Sequence, residues 1–357
     1  MRIDFIVHSM GSGGGERVLS ILANKLVLKG HSIRIVTLSN SIEDAFELNQ
    51  QIVRVKLKKR TFNNHTINNL FNLFKHYRSK KNRPDIAISF MVETSMLAII
   101  ICTLFGIKSI ASEHTNHVLK RKNNLRLFTR KYLYRLANKI IVLTEFDRAY
   151  YAKHRSNVKV IPNPSTFSIN EAPTQRSKTI LAVGNLNKYH IKGFDNLIPI
   201  VAEVFKKHKD WTLQIVGAID ETSLSFLNKI VVEHQMEDRI VFSGFSNKVS
   251  DIMATSDVYI MTSRFEGLPM VLIEAMSQGM VCISYDCETG PSEIITHNYN
   301  GILVKDQDTL EMADGLDKLL SDGKLREELR ANAPKSIEKF DPDLIVSEWE
   351  QVFLEVS

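Results

Sequence analysis

A chain of 357 residues, 44% hydrophobic and 24% charged with 16 glycines and 9 prolines, has two-domain length and a globular make-up, which excludes disordered and collagen-like chains. The three cysteines, Cys102, Cys282 and Cys287, sit in apolar or strand-like segments without metal-ligand spacing, which excludes a disulfide framework and points to reduced intracellular thiols. The net charge of +6 hides an asymmetry: residues 1–160 carry 28 Lys and Arg against 10 Asp and Glu, and residues 161–357 carry 18 against 30.

In chain order, Met1 to Val7 reads as a buried strand, with no n-region or cleavage site of a secretory signal. Ile3–Val7, Ser32–Leu38, Ile86–Phe90, Ser109–Ala111 and Lys139–Leu143 are predicted strands, apolar on both faces. Glu16–Leu28, Ile67–Tyr77 and Leu125–Arg135 carry helical spacing between them. The stretch Ile86 to Ile107 imitates a membrane span, but its unbroken apolar part, Met96 to Cys102, is far short of the ~20 residues a span needs. It predicts a strand, a turn at Glu93-Thr94-Ser95 and a core helix. Pro162, Pro164 and the polar stretch Ser165 to Lys178 then mark a boundary between domains 1–164 and 165–340.

Beyond the boundary the alternation restarts. Strands are expected at Ile180–Val183, Thr212–Val216, Ile240–Phe242, Val258–Met261, Val281–Ser284 and Gly301–Val304, and helices at Asn196–Lys207, Leu224–His234, Met270–Gln278 and Leu310–Leu319. Such a rhythm predicts an α/β chain with two parallel sheets wrapped by helices. Ligands of such sheets bind beyond the carboxyl ends of the strands, so a twin-domain chain offers a cleft between two edges.

Four motifs fall at those strand ends. Gly11-Ser12-Gly13-Gly14-Gly15-Glu16-Arg17 opens a helix whose N-terminal N–H groups suit an anion. It is not a dinucleotide fingerprint, because Glu16 stands in the third glycine's place and Thr37-Leu38-Ser39 lacks the ribose-binding acid. Glu113-His114-Thr115-Asn116-His117 gathers two histidines and an acid after another strand. The loop from Gly184 and Asn185 to Lys192-Gly193 offers a lysine to a diphosphate. Finally, Glu266-Gly267-Leu268-Pro269-Met270-Val271 leads into a helix carrying Glu274, with Pro269 expected in the first turn and the Met270 and Val271 N–H groups open to a phosphate. The plain alternative is a capping Glu266 and a surface Glu274.

The basic runs are Lys56 to Arg60, Arg78 to Arg83 and Lys120 to Arg135, the last interleaved with Leu125, Leu127, Phe128, Tyr132, Leu133 and Tyr134. That pattern suits an amphipathic helix at an anionic membrane surface. A solvated basic face and nucleic acid compete with it, although zinc-finger spacing and RNP-like strands are absent. No Walker A lysine loop, GxSxG or HExxH appears, and one of the two DxD sequences, Asp341-Pro342-Asp343, reads as a helix cap; no metal site is expected.

Taken in order, the four motifs resemble those of glycosyltransferase family 4, a retaining family with the two-Rossmann GT-B fold. Gly13-Gly14-Gly15-Glu16-Arg17 resembles its GGxER loop, Glu266 and Glu274 its E-x7-E pair, Lys192-Gly193 its diphosphate loop, and Glu113 to Asn116 the EHSN-like segment of surface-polysaccharide and lipid-linked-oligosaccharide transferases. The resemblance implies sugar transfer from a nucleoside diphosphate donor, UDP foremost, to a glycan on polyprenyl diphosphate, without cofactor or metal, at the cytoplasmic face of the membrane. It implies catalytic roles for His114, Glu266 and Lys192. Donor contacts fall to Gly14, Asn185, Phe245, Gly267, Leu268, Met270, Val271 and Glu274, and Gly13, Gly15 and Glu16 lie on the acceptor side. Residues 343–355 resemble the helix that crosses back to the first domain, and Lys120, Arg121, Lys122 and Arg126 would meet the membrane. Asn185 departs from the family's arginine; Lys188 or Arg264 would then supply the charge. A nucleotide-sugar epimerase of the same architecture and a non-enzymatic nucleotide- or membrane-binding protein remain alternatives.

Overall fold

The computed structural model describes every residue except 12, 40–43, 58–60, 119–123 and 171–174. Strands apolar on both faces need helices on each side, and they form two wholly parallel sheets. The first contains β1 (Arg2–Val7), β2 (Ser32–Thr37), β3 (Val53–Lys56), β4 (Ile86–Phe90), β5 (Lys108–Ser112), β6 (Lys139–Val142) and β7 (Val158–Val160), in the order β3-β2-β1-β4-β5-β6-β7. The second contains β8 (Ser177–Val183), β9 (Thr212–Val216), β10 (Ile240–Phe242), β11 (Ser256–Met261), β12 (Val281–Asp286) and β13 (Ile302–Lys305), in the order β10-β9-β8-β11-β12-β13.

Around the first sheet lie α1 (Gly14–Leu28), α2 (His65–Arg78), α3 (Val92–Phe105), α4 (Asn124–Lys131) and α5 (Glu145–Lys153). The second carries α6 (Tyr189–Lys192), α7 (Phe194–Phe205), α8 (Glu221–Glu233), α9 (Val249–Thr255), α10 (Met270–Ser277), α11 (Pro291–Ile294), α12 (Thr309–Ser321) and α13 (Gly323–Ile337), and α14 (Pro342–Val356) ends the chain. Two compact units result: Met1–Thr166 with Phe340–Ser357, and Phe167–Lys339. Helix α14 belongs to the first because Trp349, Val352 and Phe353 are buried in one core with Leu19, Leu22 and Leu26 of α1. Each such side chain contributes about 1.5–3 kcal/mol by leaving water. Ion pairs Lys25–Asp343 and Lys29–Glu350, both 2.7 Å, flank that seam.

Local structure departs from the sequence reading in several places, helices α5, α9 and α13 being without a predicted counterpart. Strands β3 and β7 are unpredicted, being short edge strands without the continuous burial of the inner ones. The expected turn at Glu93-Thr94-Ser95 is instead the first turn of α3, because Met91 alone reverses the chain with φ 70° and ψ 149°. The helix expected over Leu125–Arg135 stops at Lys131, where Tyr132 (φ −121°, ψ −49°) breaks it into a tighter turn over Leu133–Leu136. That break directs Tyr134 fully into the core.

Both sheets place their first strand centrally, with later strands added on either side. The strand order therefore reverses between β1 and β4 and between β8 and β11, the positions where open α/β sheets hold ligands.

Candidate functional site

At the second sheet's reversal, the loop after β8 meets the loop after β11. Lys192 ends α6, and its Nζ lies 2.7 Å from Glu266 Oε1, with both side chains largely shielded from water. Gly193 makes this approach possible: at φ 69°, a Cβ there would stand 1.8 Å from the Thr262 carbonyl oxygen. The Glu266–Pro269 loop is fixed from its other side. Thr289 Oγ1 donates to the Glu266 carbonyl at 2.6 Å, and Gly290 (φ 99°) packs where a Cβ would strike the Gly267 carbonyl.

Helix α10 then starts with Pro269 at the N-cap, one residue earlier than the first-turn position expected from sequence. No side chain caps it, so the N–H groups of Met270 and Val271 keep the partial positive charge of a helix N-terminus. The alternative of a surface Glu274 is overturned, since that residue is only 5% exposed. Leu268 is also buried, so its backbone and not its side chain can meet a ligand.

Asn185 is exposed and caps the short turn after β8, its Oδ1 accepting from Asn187 N at 3.0 Å. Arg264, offered in place of the missing arginine charge, is already engaged: its Nη1 bonds Asp195 Oδ1 at 2.7 Å and braces the α6–α7 loop. Lys188 remains solvent-exposed nearby in sequence. Phe245 lies past β10 at the same carboxyl edge and is 76% exposed, in a turn held by the Gly217 N–H donating to the Gly244 carbonyl at 2.8 Å.

At the first sheet's reversal, Gly13 caps α1, and Glu16 folds back so closely that a Cβ at Gly13 would collide with its carboxylate. Gly15 faces Met91, whose Cε would stand 2.9 Å from a Cβ there. Gly14 is open. Met91 holds its left-handed conformation at the end of β4, a strained position of the kind found beside ligands. A cavity of about 380 Å³ opens here, lined by Val7, His8, Glu16, Phe90, Met91 and Leu97 among others.

His114 stacks on Phe90, with ring centroids 4.7 Å apart, and its Nε2 meets Ser112 Oγ at 3.0 Å. Its Nδ1 is sealed from water without a partner. Burial pushes its pKa down to about 4, so the ring is neutral at pH 7 and can donate or accept one hydrogen bond but brings no charge. The two neighbours expected to act with it are structural. His117 is held by Asp147 (Nδ1 to Oδ1, 2.7 Å) and stacks on Tyr150.

Glu113 is buried and accepts from Arg130 Nε at 3.0 Å, Tyr151 OH at 2.8 Å and Tyr134 OH at 3.2 Å. Burial, reinforced by the Glu113 charge, raises both tyrosine pKa values well above normal and keeps them protonated donors. Burial alone would lower the Arg130 pKa, but the Glu113 charge and hydrogen bond outweigh it. Arg130 therefore cannot be a membrane cation, as its place in the Lys120–Arg135 run suggested. Lys120, Arg121 and Lys122 lie outside the described residues. Arg126 is ion-paired with Glu93 across α3 and α4. Lys139 is likewise engaged, with Glu355 at 2.7 Å. Among the described residues no three His, Cys, Asp or Glu side chains gather as a metal site.

The sequence reading missed Arg130, Tyr134, Tyr151 and the cavity wall. One signal was available: Glu113 follows a buried strand in a half of the chain poor in acids, and a buried carboxylate requires a partner.

Comparison with known proteins agrees with this fold. Residues 12–165 match the model of Glycosyltransferase Family 4, and residues 166–336 that of Glycosyl transferases group 1. The chain is 34% identical to the amylovoran biosynthesis glycosyltransferase AmsD of Erwinia amylovora, over 96% of each chain. It is 28% identical to a Campylobacter jejuni alpha-1,4-N-acetyl-D-galactosaminyltransferase named for a diNAcBac-PP-undecaprenol substrate, over 100% of this chain and 99% of the other. The crystal structure of Anabaena HepE in complex with UDP superposes with a TM-score of 0.82 at 18% identity, covering 99% of this chain and 100% of that one. The chain belongs to the glycosyltransferases of the GT-B fold, a family 4 half followed by a group 1 half.

Proposed function

We propose that the protein transfers a sugar, with retained anomeric configuration, from a nucleoside diphosphate donor, UDP-sugar foremost, to a hydroxyl of a polyprenyl-diphosphate-linked saccharide in surface polysaccharide synthesis. The observation that carries this reading is the Lys192–Glu266 pair beside the uncapped N-terminus of α10 at the β8–β11 reversal. In the reaction the bond between the anomeric carbon and the diphosphate breaks, a bond to the acceptor oxygen forms, and the acceptor proton passes to the departing diphosphate. Charge grows on the diphosphate. Lys192 has three N–H donors, so it can keep Glu266 and still meet a diphosphate oxygen. The Met270 and Val271 N–H groups add fixed positive charge at the same place. Glu266, oriented by Lys192, accepts from donor-sugar hydroxyls, Glu274 from the ribose, and Phe245 lies against the base.

His114, neutral, is the hydrogen-bonding partner for the donor sugar, and Gly13, Gly14, Gly15 and Glu16 border the acceptor. Their support is position: each lies at a sheet reversal or at an adjacent strand end. The names of the amylovoran and undecaprenol-linked relatives support polysaccharide synthesis and a lipid-linked acceptor. Docking on the anionic inner face of the membrane, through Lys120, Arg121 and Lys122, with Arg126 held by Glu93 and with Leu127 and Phe128 inserted, is supported by the basic first half and by the 44% and 49% exposure of those two apolar residues. Tyr134, expected from sequence to insert with them, is buried, and Tyr132, 54% exposed, stands in its place. No helix among the described residues is long and apolar enough to cross a membrane.

A panel of UDP-, GDP- and ADP-sugars, scored for thermal shift and slow donor hydrolysis, tests the donor assignment. A UDP-sugar is expected to stabilise the protein and to be hydrolysed slowly, and Lys192→Ala to remove both effects. Failure of every nucleotide sugar to bind would contradict the reading.

A further inference from the structure

We infer that Arg264 is the positioning residue of the donor site: clamped by Asp195, it holds Lys192 where a diphosphate would meet it and gives no charge to the ligand itself. This rests on the donor assignment proposed above.

Lys192 ends α6, a helix of only four residues. A single helical turn fixes several dihedrals for one hydrogen bond and is not stable by itself, so tertiary bonds must set the position of Lys192. The loop after β11 supplies them from one short stretch. The Arg264 backbone N–H donates to the Ile191 carbonyl at 2.8 Å, and Arg264 Nη1 donates to the His190 carbonyl. Carbonyls in the last turn of a helix lack partners within it, and here one residue takes two of them. Just past Lys192, the Gly193 carbonyl accepts from Thr262 Oγ1 at 2.9 Å. Thr262 and Ser263 are each 2% exposed, which anchors this stretch in the interior of the second unit.

The clamp closes on the other side of Lys192. Arg264 Nη1 also donates to Asp195 Oδ1 at 2.7 Å, and Asp195 lies in the first turn of α7, where a helix N-terminus favours a carboxylate. His190 Nδ1 meets the second carboxylate oxygen, Oδ2, at 3.2 Å. Arg264 thus bonds residues 190, 191 and 195, on both sides of Lys192, and stands two residues before Glu266 in the chain. A single residue therefore ties together the backbone beneath both members of the Lys192–Glu266 pair.

Charge favours positioning over direct contact. Arg264 and Asp195 neutralise each other with side chains only 17% and 18% exposed. Turning the guanidinium toward a diphosphate would strand the Asp195 carboxylate beside a second anion, and a shielded charge left without its partner is costly.

Removing Asp195 separates the two roles, because it destroys the clamp and frees the guanidinium. UDP is titrated by calorimetry into the parent, Arg264→Ala, Asp195→Ala, Lys192→Ala, and the double variant Arg264→Ala with Lys192→Ala. Cys282, fully buried in β12, reports by its protection from thiol labelling whether the second unit stays folded. Arg264→Ala and Asp195→Ala should each weaken UDP binding about fivefold with Cys282 protected, and Arg264→Ala should change it less than about twofold once Lys192 is gone, as for residues acting through one group. If Arg264→Ala exposes Cys282, Arg264→Gln replaces it in the same cycle, with the same outcomes expected. Tighter binding by Asp195→Ala, or an equal loss from Arg264→Ala with and without Lys192, would overturn the inference and leave the donor assignment standing. Unchanged binding by both single variants would overturn it as well. Failure of the parent to bind UDP would remove the donor assignment and the inference with it.

Discussion

The two sheet reversals share a plan and differ in what lines them. At β8–β11 the groups are charged and held by backbone: a lysine–glutamate pair, a helix N-terminus, and glycines at Gly193 and Gly290 where no Cβ fits. At β1–β4 the walls are mostly apolar, Val7, Phe90, Met91 and Leu97 with His8 and Glu16 among them, while Glu113 and Glu93 are spent on Arg130 and Arg126. In the function proposed above, one edge meets a charge that grows during reaction and the other receives a largely uncharged ring. The lesson is that a shared strand order sets where a ligand sits, and the loops set its chemistry.

The sharpest way to break this contrast is to unbalance the buried pair of the first unit. Arg130→Ala strands the Glu113 carboxylate and should destabilise that unit by about 3–5 kcal/mol, read in chemical denaturation, whereas Arg130→Lys should recover part of the loss. An Arg130→Ala protein as stable as the parent would mean that the pair does not hold the His114 loop. The equivalent cut in the second unit should act on reaction and not on folding. Lys192→Ala should lower turnover by roughly 10²–10³, the usual effect of removing one preorganised electrostatic group, with little change in melting temperature. An effect on KM alone would displace Lys192 from the leaving group.

Acid separates the units further. Burial holds His114 and His76, both in the first unit, down to a pKa of about 4, against about 6.5 when unfolded. Below pH 6.5 the unfolded chain binds protons that the folded one refuses, so stability present above that pH falls as pH drops toward 4, by up to about 3 kcal/mol for His114 and by less for His76, which solvent partly screens. Differential melting of the two units between pH 7 and pH 4.5 should show the first weakening, and His76→Asn with His114→Asn should blunt the trend. The smallest effect is expected at Glu274→Gln, which should raise the donor KM by about tenfold, or 1.4 kcal/mol, without lowering kcat, as for a contact made equally before and during reaction.

Much of this contrast was legible in the sequence. The four motifs fall at strand ends because glycines, an N-terminal proline and short acidic or basic signatures are local in sequence, and Lys192 and Glu266 were assigned to one site although 74 residues separate them. Arg130 was illegible as a structural residue. A run of cations looks uniformly solvated until the helix register turns one of them inward, and here Thr129 and Arg130 are the buried residues of α4. The cavity was only partly legible: Glu16, in the glycine-rich motif that opens α1, was placed on the acceptor side, but the rest of the wall comes from β1, β4 and residues of α2, α3 and α4 that carry no motif for it. Met91 could not be anticipated, because a non-glycine residue at positive φ follows no local pattern.

The central claim is that Lys192 and the α10 N-terminus hold the donor diphosphate as protein groups. Calorimetric titration of UDP into the parent protein and Lys192→Ala, both in excess chelator, tests it most directly. Binding by the parent and at least about tenfold weaker binding by the variant, a loss of 1.4 kcal/mol or more, is the predicted result. Equal affinities, or binding by the parent only when a divalent metal is restored, would contradict it.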